Sequence, residues 1–249
     1  MRNLTGLPGA PHPRATPKIA GVNTEVIAAI IVAAGSSTRM GADKIWADLG
    51  GAPVLAYSVA ALAATPGITH LVVVAPREKH EAIALLPCPV PIATVEGGTR
   101  RQDSVAAGIR AVPDAAWYLV HDGARPLVTP ALAARVLDAA GAHGAAIPVT
   151  PVVDTIKRVD GQGRVQETLD RSELRAVQTP QAFRGDLLRR VHLELPGDVT
   201  DDAAMLEALG VPVATVDGDR ENLKITTPSD LAIAAALFAQ RVAQRVAER

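Results

Sequence analysis

Apolar positions along this chain fall into short continuous runs separated by stretches with helical periodicity. The first run, residues 26–34, is apolar at every position, which is typical of a strand buried on both faces. Further apolar runs occur at 71–75, 90–95, 117–120 and 145–149, and helices are predicted between the runs at 53–64, 77–86, 102–112 and 130–140. This alternation predicts an α/β fold with right-handed crossovers, in which helices flank a Rossmann-like, mostly parallel sheet.

The pattern changes after residue 150. Two β-rich segments, 155–159 and 164–168, flank the turn residues 160–163 and predict a β-hairpin. At least every second position of each segment is polar, so the hairpin cannot lie inside the sheet. We expect an arm at about 152–172 that projects and pairs with a second copy of the chain. Helices predicted at 185–195, 201–209 and 228–247 complete a single domain over 25–249.

Composition narrows the classes of function. The formal net charge of -1 argues against extensive binding of nucleic acid or anionic membrane. The single cysteine, Cys88, excludes an internal disulfide and a cysteine-based zinc cluster, and it fits a reducing compartment. No apolar run is long enough to span a bilayer, so a cytoplasmic protein is expected. Residues 1–24 are rich in proline and lack an apolar segment, which predicts a disordered leader.

The loop after the first strand, residues 35–44, has the components of a phosphate-binding site. It begins with Gly35, continues with small hydroxyl residues, and carries the cations Arg39 and Lys44. It is not a Walker A loop, because Asp43 precedes Lys44 and Ile45 follows it. It is not a dinucleotide fingerprint either, since the further glycines and the ribose-binding acid are missing. A solvated surface loop is the alternative, but its place beyond a buried strand favours ligand binding.

Several segments, taken together, resemble the 2-C-methyl-D-erythritol 4-phosphate cytidylyltransferase family, whose fold is of the nucleotidyltransferase type. The resemblance covers residues 26 to about 240. Its opening segment, 33–40 with Lys44, is shared by many sugar-nucleotide pyrophosphorylases, whereas the blocks at 121–126, 170–171 and 222–226 are more specific. The remaining matching segments are 97–104, 153–157, 169–171, 179–181 and 200–202.

The resemblance implies that the acceptor's 4-phosphate attacks the α-phosphorus of CTP and expels pyrophosphate, with Mg²⁺ or another divalent cation as cofactor. It implies transition-state stabilisation by Arg39 and Lys44, and positioning of the acceptor by Arg171 and Lys224. The implied substrate-binding residues are Ala33, Ala34, Gly35, Gly98, Ser104, Asp122, Arg125, Thr155 and Thr200, with Asp122 also a candidate metal ligand. In the family the arm exchanges between two subunits, which implies a homodimer in which Arg171 serves the partner's site.

Other functions remain compatible with the sequence. A different phosphorylated polyol, such as ribitol 5-phosphate, would leave the CTP half of the site nearly unchanged. A nucleotide-binding regulatory module without turnover is disfavoured because both Arg39 and Lys44 are present. A general base is not required, because the attacking phosphate oxygen is already anionic. His121 is therefore expected to be a packed structural residue rather than a catalyst.

Overall fold

The computed structural model describes residues 25–35, 43–195 and 201–247. In chain order its strands are β1 (Ile27–Val32), β2 (Asp48–Leu49), β3 (Ala52–Pro53), β4 (His70–Val74), β5 (Ile92–Val95), β6 (Trp117–Asp122), β7 (Ala145–Pro151), β8 (Lys157–Val159), β9 (Val165–Thr168), β10 (Arg175–Val177), β11 (Gln181–Arg184) and β12 (Ala214–Asp217). The helices are α1 (Val54–Ala63), α2 (His80–Ala84), α3 (Arg101–Ala111), α4 (Pro130–His143), α5 (Gly185–Glu194), α6 (Asp202–Ala208) and α7 (Pro228–Ala247).

The main sheet has the strand order β10-β7-β11-β6-β1-β4-β5, and β12 also pairs with β7. Strand β1 is an interior strand and pairs in parallel with both β4 and β6. Its alternating side chains enter two different cores, Ala29 and Ile31 on one face and Ala28 and Ile30 on the other. Burial on both faces explains why this segment is apolar at every position. The predicted α/β fold with a mostly parallel sheet is confirmed.

Three strands of the main sheet are not apparent in the apolar pattern. Strands β10 and β11 pair antiparallel with β7, and β11 also pairs antiparallel with β6. Strand β12 pairs in parallel with β7. These segments are only three or four residues long and include polar positions, so their sequence lacks the continuous apolar run of a central strand.

Most predicted elements differ from the observed ones by a few residues at their ends, and two of the differences change the description of the fold. The strand predicted at 117–120 continues to Asp122, which makes this residue the last of β6 rather than the first of the following loop. The helix predicted at 77–86 consists of a 3₁₀ turn, Arg77–Lys79, followed by the short helix α2.

The arm forms at the predicted position. Strands β8 and β9 pair with each other in a separate two-stranded sheet, and every residue in both strands is exposed. Three valines of this region, Val153, Val159 and Val165, are between 54% and 62% exposed. In the part of the chain that the structure describes, none of the helices has both the length and the apolar character needed to cross a bilayer.

Candidate active site

Two adjoining cavities lie where the central parallel strands β1, β4 and β6 end. The first has a volume of about 380 Å³ and the second about 400 Å³, both within the range of small-molecule sites. Arg101, Asp122 and Lys224 line both cavities. The first is otherwise lined by Val32, Ala34, Gly35, Lys44, Ile45, Gly98, Thr99, Arg100, Ser104 and Ala124. The second is otherwise lined by Arg125, Ile147, Val177, Gln178, Thr179, Gln181, Asp201, Ala204 and Glu207.

Asp122 stands at the boundary between the two cavities, because it ends β6 beside the end of β1. Its Oδ2 lies 2.7 Å from Lys224 Nζ, and its Oδ1 lies 3.5 Å from Arg101 Nε. Arg125 Nε is 3.9 Å from Oδ2. Burial by itself would raise the pKa of the Asp122 carboxyl, but Lys224 and Arg101 outweigh it and hold this pKa well below its usual range. Asp122 is therefore a carboxylate at neutral pH.

More positive than negative charge surrounds Asp122. Three basic side chains surround this one carboxylate, and Lys44 and Arg100 add two more to the lining of the first cavity. Like charges held this close repel one another unless an anion neutralises them. The electrostatics of the first cavity thus favour a polyanionic ligand, whereas the second cavity is also lined by Asp201 and Glu207 and is closer to balanced in charge.

Lys44 reaches the first cavity from a turn that is anchored on both sides. Asp43 Oδ1 accepts a hydrogen bond from the Ile45 N–H at 3.3 Å, and Asp43 also pairs with Lys79 at 3.4 Å. The Ile45 carbonyl accepts from the Leu55 N–H, and the Ile45 side chain is buried. These contacts place the Lys44 backbone at the edge of the cavity.

The glycine loop 97–98 is held against the end of β1. A Cβ on Gly97 would lie 2.3 Å from the Ala34 Cβ, so only glycine permits this approach. The Gly98 N–H donates to Ser104 Oγ at 3.2 Å, and this hydroxyl can donate in turn to the Arg100 carbonyl at 3.3 Å. Ser104 therefore holds the shape of the loop as well as lining the first cavity.

Arg125 lines the second cavity and is fixed by the segment that precedes Lys224. Its Nη1 donates to the Asn222 carbonyl at 2.7 Å. The Asn222 side chain is fully buried, and its Nδ2 donates to the Thr179 carbonyl at 2.8 Å. Three segments that are distant in sequence are thereby joined behind the cavity.

His121 is fully buried behind Asp122 and is neutral. Burial lowers its pKa to about 4. Its Nε2 lies 3.3 Å from the Arg125 carbonyl, which can only accept, so Nε2 carries the proton. The other ring nitrogen then accepts from the Thr179 hydroxyl at 3.1 Å, and the Thr179 oxygen accepts from the Asp122 N–H at 3.0 Å. This chain of hydrogen bonds positions the Asp122 backbone and leaves the imidazole no proton-transfer role.

The lowered pKa of His121 predicts a loss of stability in mild acid. The folded-state pKa is about 4, below the ordinary 6.5, so between these values the unfolded chain binds a proton that the folded chain does not. The contribution of His121 to the free energy of unfolding is therefore fully present above about pH 6.5 and is lost as the pH falls towards 4, by about 3 kcal/mol in total. The free energy of unfolding is measured by urea denaturation at pH 7 and at pH 5. Between these two pH values, we expect it to decrease by about 2 kcal/mol less in His121→Gln than in the wild type. Equal losses in the two proteins would contradict this assignment.

The structure brings together most of the predicted site residues that it describes. Those that line at least one of the two cavities are Ala34, Gly35, Lys44, Gly98, Ser104, Asp122, Arg125 and Lys224. Ala33 instead packs in the core beside the first cavity, and its N–H donates to the Val74 carbonyl. Thr155 and Arg171 lie on the exposed arm and line neither cavity. Arg39 and Thr200 fall outside the described residues, as does the predicted leader 1–24.

Arg101 lines both cavities but is not among the site residues predicted from the sequence. It is the first residue of α3, and its Nη1 lies 2.6 Å from Asp202 Oδ2. The two residues are 101 positions apart, so no local spacing connects them. The sequence feature that could have identified Arg101 is the segment 97–104, which also contains the predicted site residues Gly98 and Ser104.

The described part of the chain offers no preformed metal centre. Among these residues there is no group of three or more His, Cys, Asp or Glu side chains placed to hold an ion. Asp122 is the one carboxylate among the described residues lining the first cavity. Because Mg²⁺ is commonly bound by one or two carboxylates together with substrate phosphates and water, this donor set fits an ion that enters with a nucleotide.

A cation-rich cavity at the carboxyl ends of a mostly parallel sheet is the arrangement of a nucleotide-binding enzyme, here of the nucleotidyltransferase class. The family model for 2-C-methyl-D-erythritol 4-phosphate cytidylyltransferase matches residues 27–240. The chain therefore belongs to the 2-C-methyl-D-erythritol 4-phosphate cytidylyltransferase family. Family membership makes it an enzyme of isoprenoid precursor biosynthesis that transfers a cytidylyl group from CTP.

Individual relatives agree with this assignment. The chain is 46% identical over 220 residues to the 2-C-methyl-D-erythritol 4-phosphate cytidylyltransferase of Synechococcus sp. (strain WH7803), covering 85% of this chain and 99% of the relative. It is 44% identical over 226 residues to the enzyme of the same name from Nocardia farcinica (strain IFM 10152), covering 89% and 97%. The crystal structure of the Thermus thermophilus enzyme of this name matches with a TM-score of 0.71 and 38% identity, covering 85% of this chain and 98% of that one.

Proposed function

We propose that the two cavities bind CTP and 2-C-methyl-D-erythritol 4-phosphate side by side and join them across their shared wall. An oxygen of the acceptor's phosphate attacks the α-phosphorus of CTP, forming a new P–O bond. The bond from the α-phosphorus to the oxygen that bridges to the β-phosphate breaks, and pyrophosphate leaves with that electron pair. The observation that carries this proposal is that Arg101, Asp122 and Lys224 line both cavities.

The lining of each cavity favours one of the two substrates. The first contains the glycine loop, the end of β1 and Lys44, which suit a base and a chain of phosphates. The second contains Arg125, Gln178 and Thr179, which suit a phosphorylated polyol with several hydroxyl groups. In this arrangement Lys44 stabilises the transferring α-phosphate, and Lys224 orients the acceptor. Arg39 is assigned to the α- and β-phosphates by the family resemblance alone.

The residues present suit a reaction that needs charge stabilisation rather than proton transfer. The attacking oxygen is already anionic, and the buried histidine next to Asp122 is neutral and engaged at both nitrogens. Fixed cations aimed at the phosphates lower the repulsion between two anionic substrates and stabilise charge that develops on the leaving group. The described side chains supply these cations directly.

A divalent cation would enter with the phosphates of CTP as its main ligands, because three cations already surround Asp122. Asp122 would be its carboxylate ligand, with phosphate oxygens and water completing the coordination. When bound, Mg²⁺ would neutralise phosphate charge and favour departure of pyrophosphate. The role of the chain's own residues is to hold Asp122 ionised, which Lys224 and Arg101 do.

We also propose that the enzyme is a homodimer in which the arm completes the partner's site. The arm lies away from both cavities, yet it carries exposed valines and the acceptor-positioning candidates Thr155 and Arg171. An isolated two-stranded hairpin is only marginally stable in water, so a partner surface that covers Val159 and Val165 would stabilise it. The cytoplasmic location expected from the sequence stays a prediction.

The direct test is release of pyrophosphate from CTP and Mg²⁺ with a panel of phosphorylated polyols. We expect 2-C-methyl-D-erythritol 4-phosphate to give the highest kcat/KM, at least about 10²-fold above ribitol 5-phosphate. The main chain of ribitol 5-phosphate is one carbon longer, so with its phosphate in place its hydroxyls are displaced from the polar groups of the site and leave some of them unpaired. UTP in place of CTP is the control for base selectivity. Preferred turnover of ribitol 5-phosphate would overturn the choice of acceptor, and release without any acceptor would overturn the transfer reaction.

A further inference from the structure

Arg101 is held at the wall between the cavities by contacts that come from both sides. Its Nε faces Asp122 Oδ1 at 3.5 Å, and its Nη1 donates to Asp202 Oδ2 at 2.6 Å. Its Nη2 is shielded from water and has no hydrogen-bond partner among the described residues. A buried charged donor without an acceptor is unfavourable. After a small movement of the Arg101 side chain, Nη2 could donate to a phosphate oxygen bound in either adjoining cavity.

Asp202 is placed to fix the orientation of this guanidinium. It is the first residue of α6 and is fully buried. One carboxylate oxygen accepts from Arg101, and the other lies 3.1 Å from Nε2 of His192, a residue of α5. Burial would raise the pKa of Asp202, but Arg101 and the hydrogen bond from His192 lower it, so the residue is a carboxylate. Both oxygens are engaged, which leaves the carboxylate a single orientation.

We propose that Arg101 is a catalytic residue that donates to the transferring phosphate, and that Asp202 is a positioning residue that acts through Arg101. The proposal rests on the proposed function, since it requires the phosphates of both substrates to meet at the shared wall. Arg101 is suited to this position because its planar fork binds Asp202 with one nitrogen and retains another for phosphate. A lysine at this position carries all three of its donors on one nitrogen, so it lacks the separated donors with which the guanidinium reaches two acceptors in different directions.

The first test compares Arg101→Lys and Asp202→Asn in the CTP-dependent assay. We expect Arg101→Lys to lower kcat by about 10²-fold and Asp202→Asn by about tenfold. The KM values for CTP and for the acceptor should each change by less than about threefold, because the contact strengthens as the phosphate is transferred. The matched control is Arg189→Lys, since Arg189 of α5 donates to the Pro113 and Ala115 carbonyls and lines neither cavity. Its melting temperature should fall while its kcat is retained.

The second test is the double variant Arg101→Lys with Asp202→Asn. It shows whether Asp202 affects kcat through Arg101 or independently of it. If Asp202 acts through Arg101, adding Asp202→Asn to Arg101→Lys should lower kcat by less than about threefold further. A full further tenfold loss would show that Asp202 acts independently and would overturn its positioning role. Retention of more than half the wild-type kcat in Arg101→Lys would overturn the catalytic role.

An alternative double variant covers the case of misfolding, and the activity of the wild type separates failure of the proposed function from failure of the roles of Arg101 and Asp202. If Arg101→Lys does not fold, the combination Arg101→Gln with Asp202→Asn removes both charges of the buried pair and supplies the measurement for Arg101. If the wild type itself transfers no cytidylyl group to the acceptor, the proposed function fails. If the wild type is active and the variants are unaffected, only the present inference fails.

Discussion

Replacement of Lys44 with alanine is expected to lower kcat by about 10²- to 10³-fold while the protein remains folded. Lys44 lines the first cavity from an anchored turn, where its charge faces the phosphates of CTP in the proposed complex. Loss of this fixed cation removes stabilisation that is greatest in the transition state, so kcat should fall more than the affinity for CTP. The measurement is steady-state pyrophosphate release at saturating substrates.

The fold should tolerate the loss of Lys44. The turn is held by Asp43 and Ile45, whose contacts do not require the Lys44 ammonium group, and the free energy of unfolding should change by less than about 1 kcal/mol. Arg190→Ala is a suitable control, because Arg190 forms an exposed ion pair with Glu194 on α5 and lines neither cavity. A Lys44→Ala protein that kept more than half of the wild-type kcat would contradict the assigned role.

The sequence predicted the central sheet well because its strands are buried on both faces. In β1 this burial requires an apolar side chain at every position, and the resulting run is unmistakable in the sequence. Ligand binding in such a sheet occurs beyond the carboxyl ends of the strands, so the positions of Lys44 and Asp122 followed from the strand assignment. The structure places both residues in the first cavity.

The added strands β10, β11 and β12 could not be predicted in the same way. Gln181 illustrates the reason, because it is fully buried in β11 yet polar, and its Nε2 donates to Asp201 at 2.7 Å. Asp201 satisfies the Gln181 amide nitrogen, whereas Oε1 is buried without a hydrogen-bond partner among the described residues. Single-sequence periodicity contains no record of such a long-range contact. Arg101 and Asp202 were missed as a pair for the same reason.

For the arm, the local structure could be predicted from the sequence but the function could not. The hairpin followed from local turn and strand patterns, and β8 and β9 lie within the predicted segments 155–159 and 164–168. In the proposed homodimer, the function of the arm depends on the partner surface that covers its exposed residues. A prediction about Arg171 must therefore be tested in the assembled protein.

Mixing inactive Arg171→Ala and Lys44→Ala proteins is expected to restore activity when subunits exchange. Within one chain Arg171 lies on the exposed arm, where its Nη1 contacts the Val153 carbonyl, and it lines neither cavity. If it serves the partner's cavity, one site of each heterodimer has both defects and the other has neither. Activity should return to about half of the wild-type value per heterodimer, if the two sites turn over independently. Each homodimer alone should be nearly inactive, because an arginine fork contributes to phosphate binding only where it is rigidly placed.

The matched control is a mixture of Lys44→Ala with Lys224→Ala. Both lysines line the first cavity of the same chain, so every site in this heterodimer contains one defect and no activity should return. A mixture of Arg171→Ala with Lys224→Ala should instead recover like the first pair, since Lys224 pairs with Asp122 inside the chain's own cavity. Subunit exchange is verified by mass spectrometry of differently tagged chains. Recovery in neither arginine-containing mixture, despite verified exchange, would mean that Arg171 serves its own chain, and the exchanged arm would have to be abandoned.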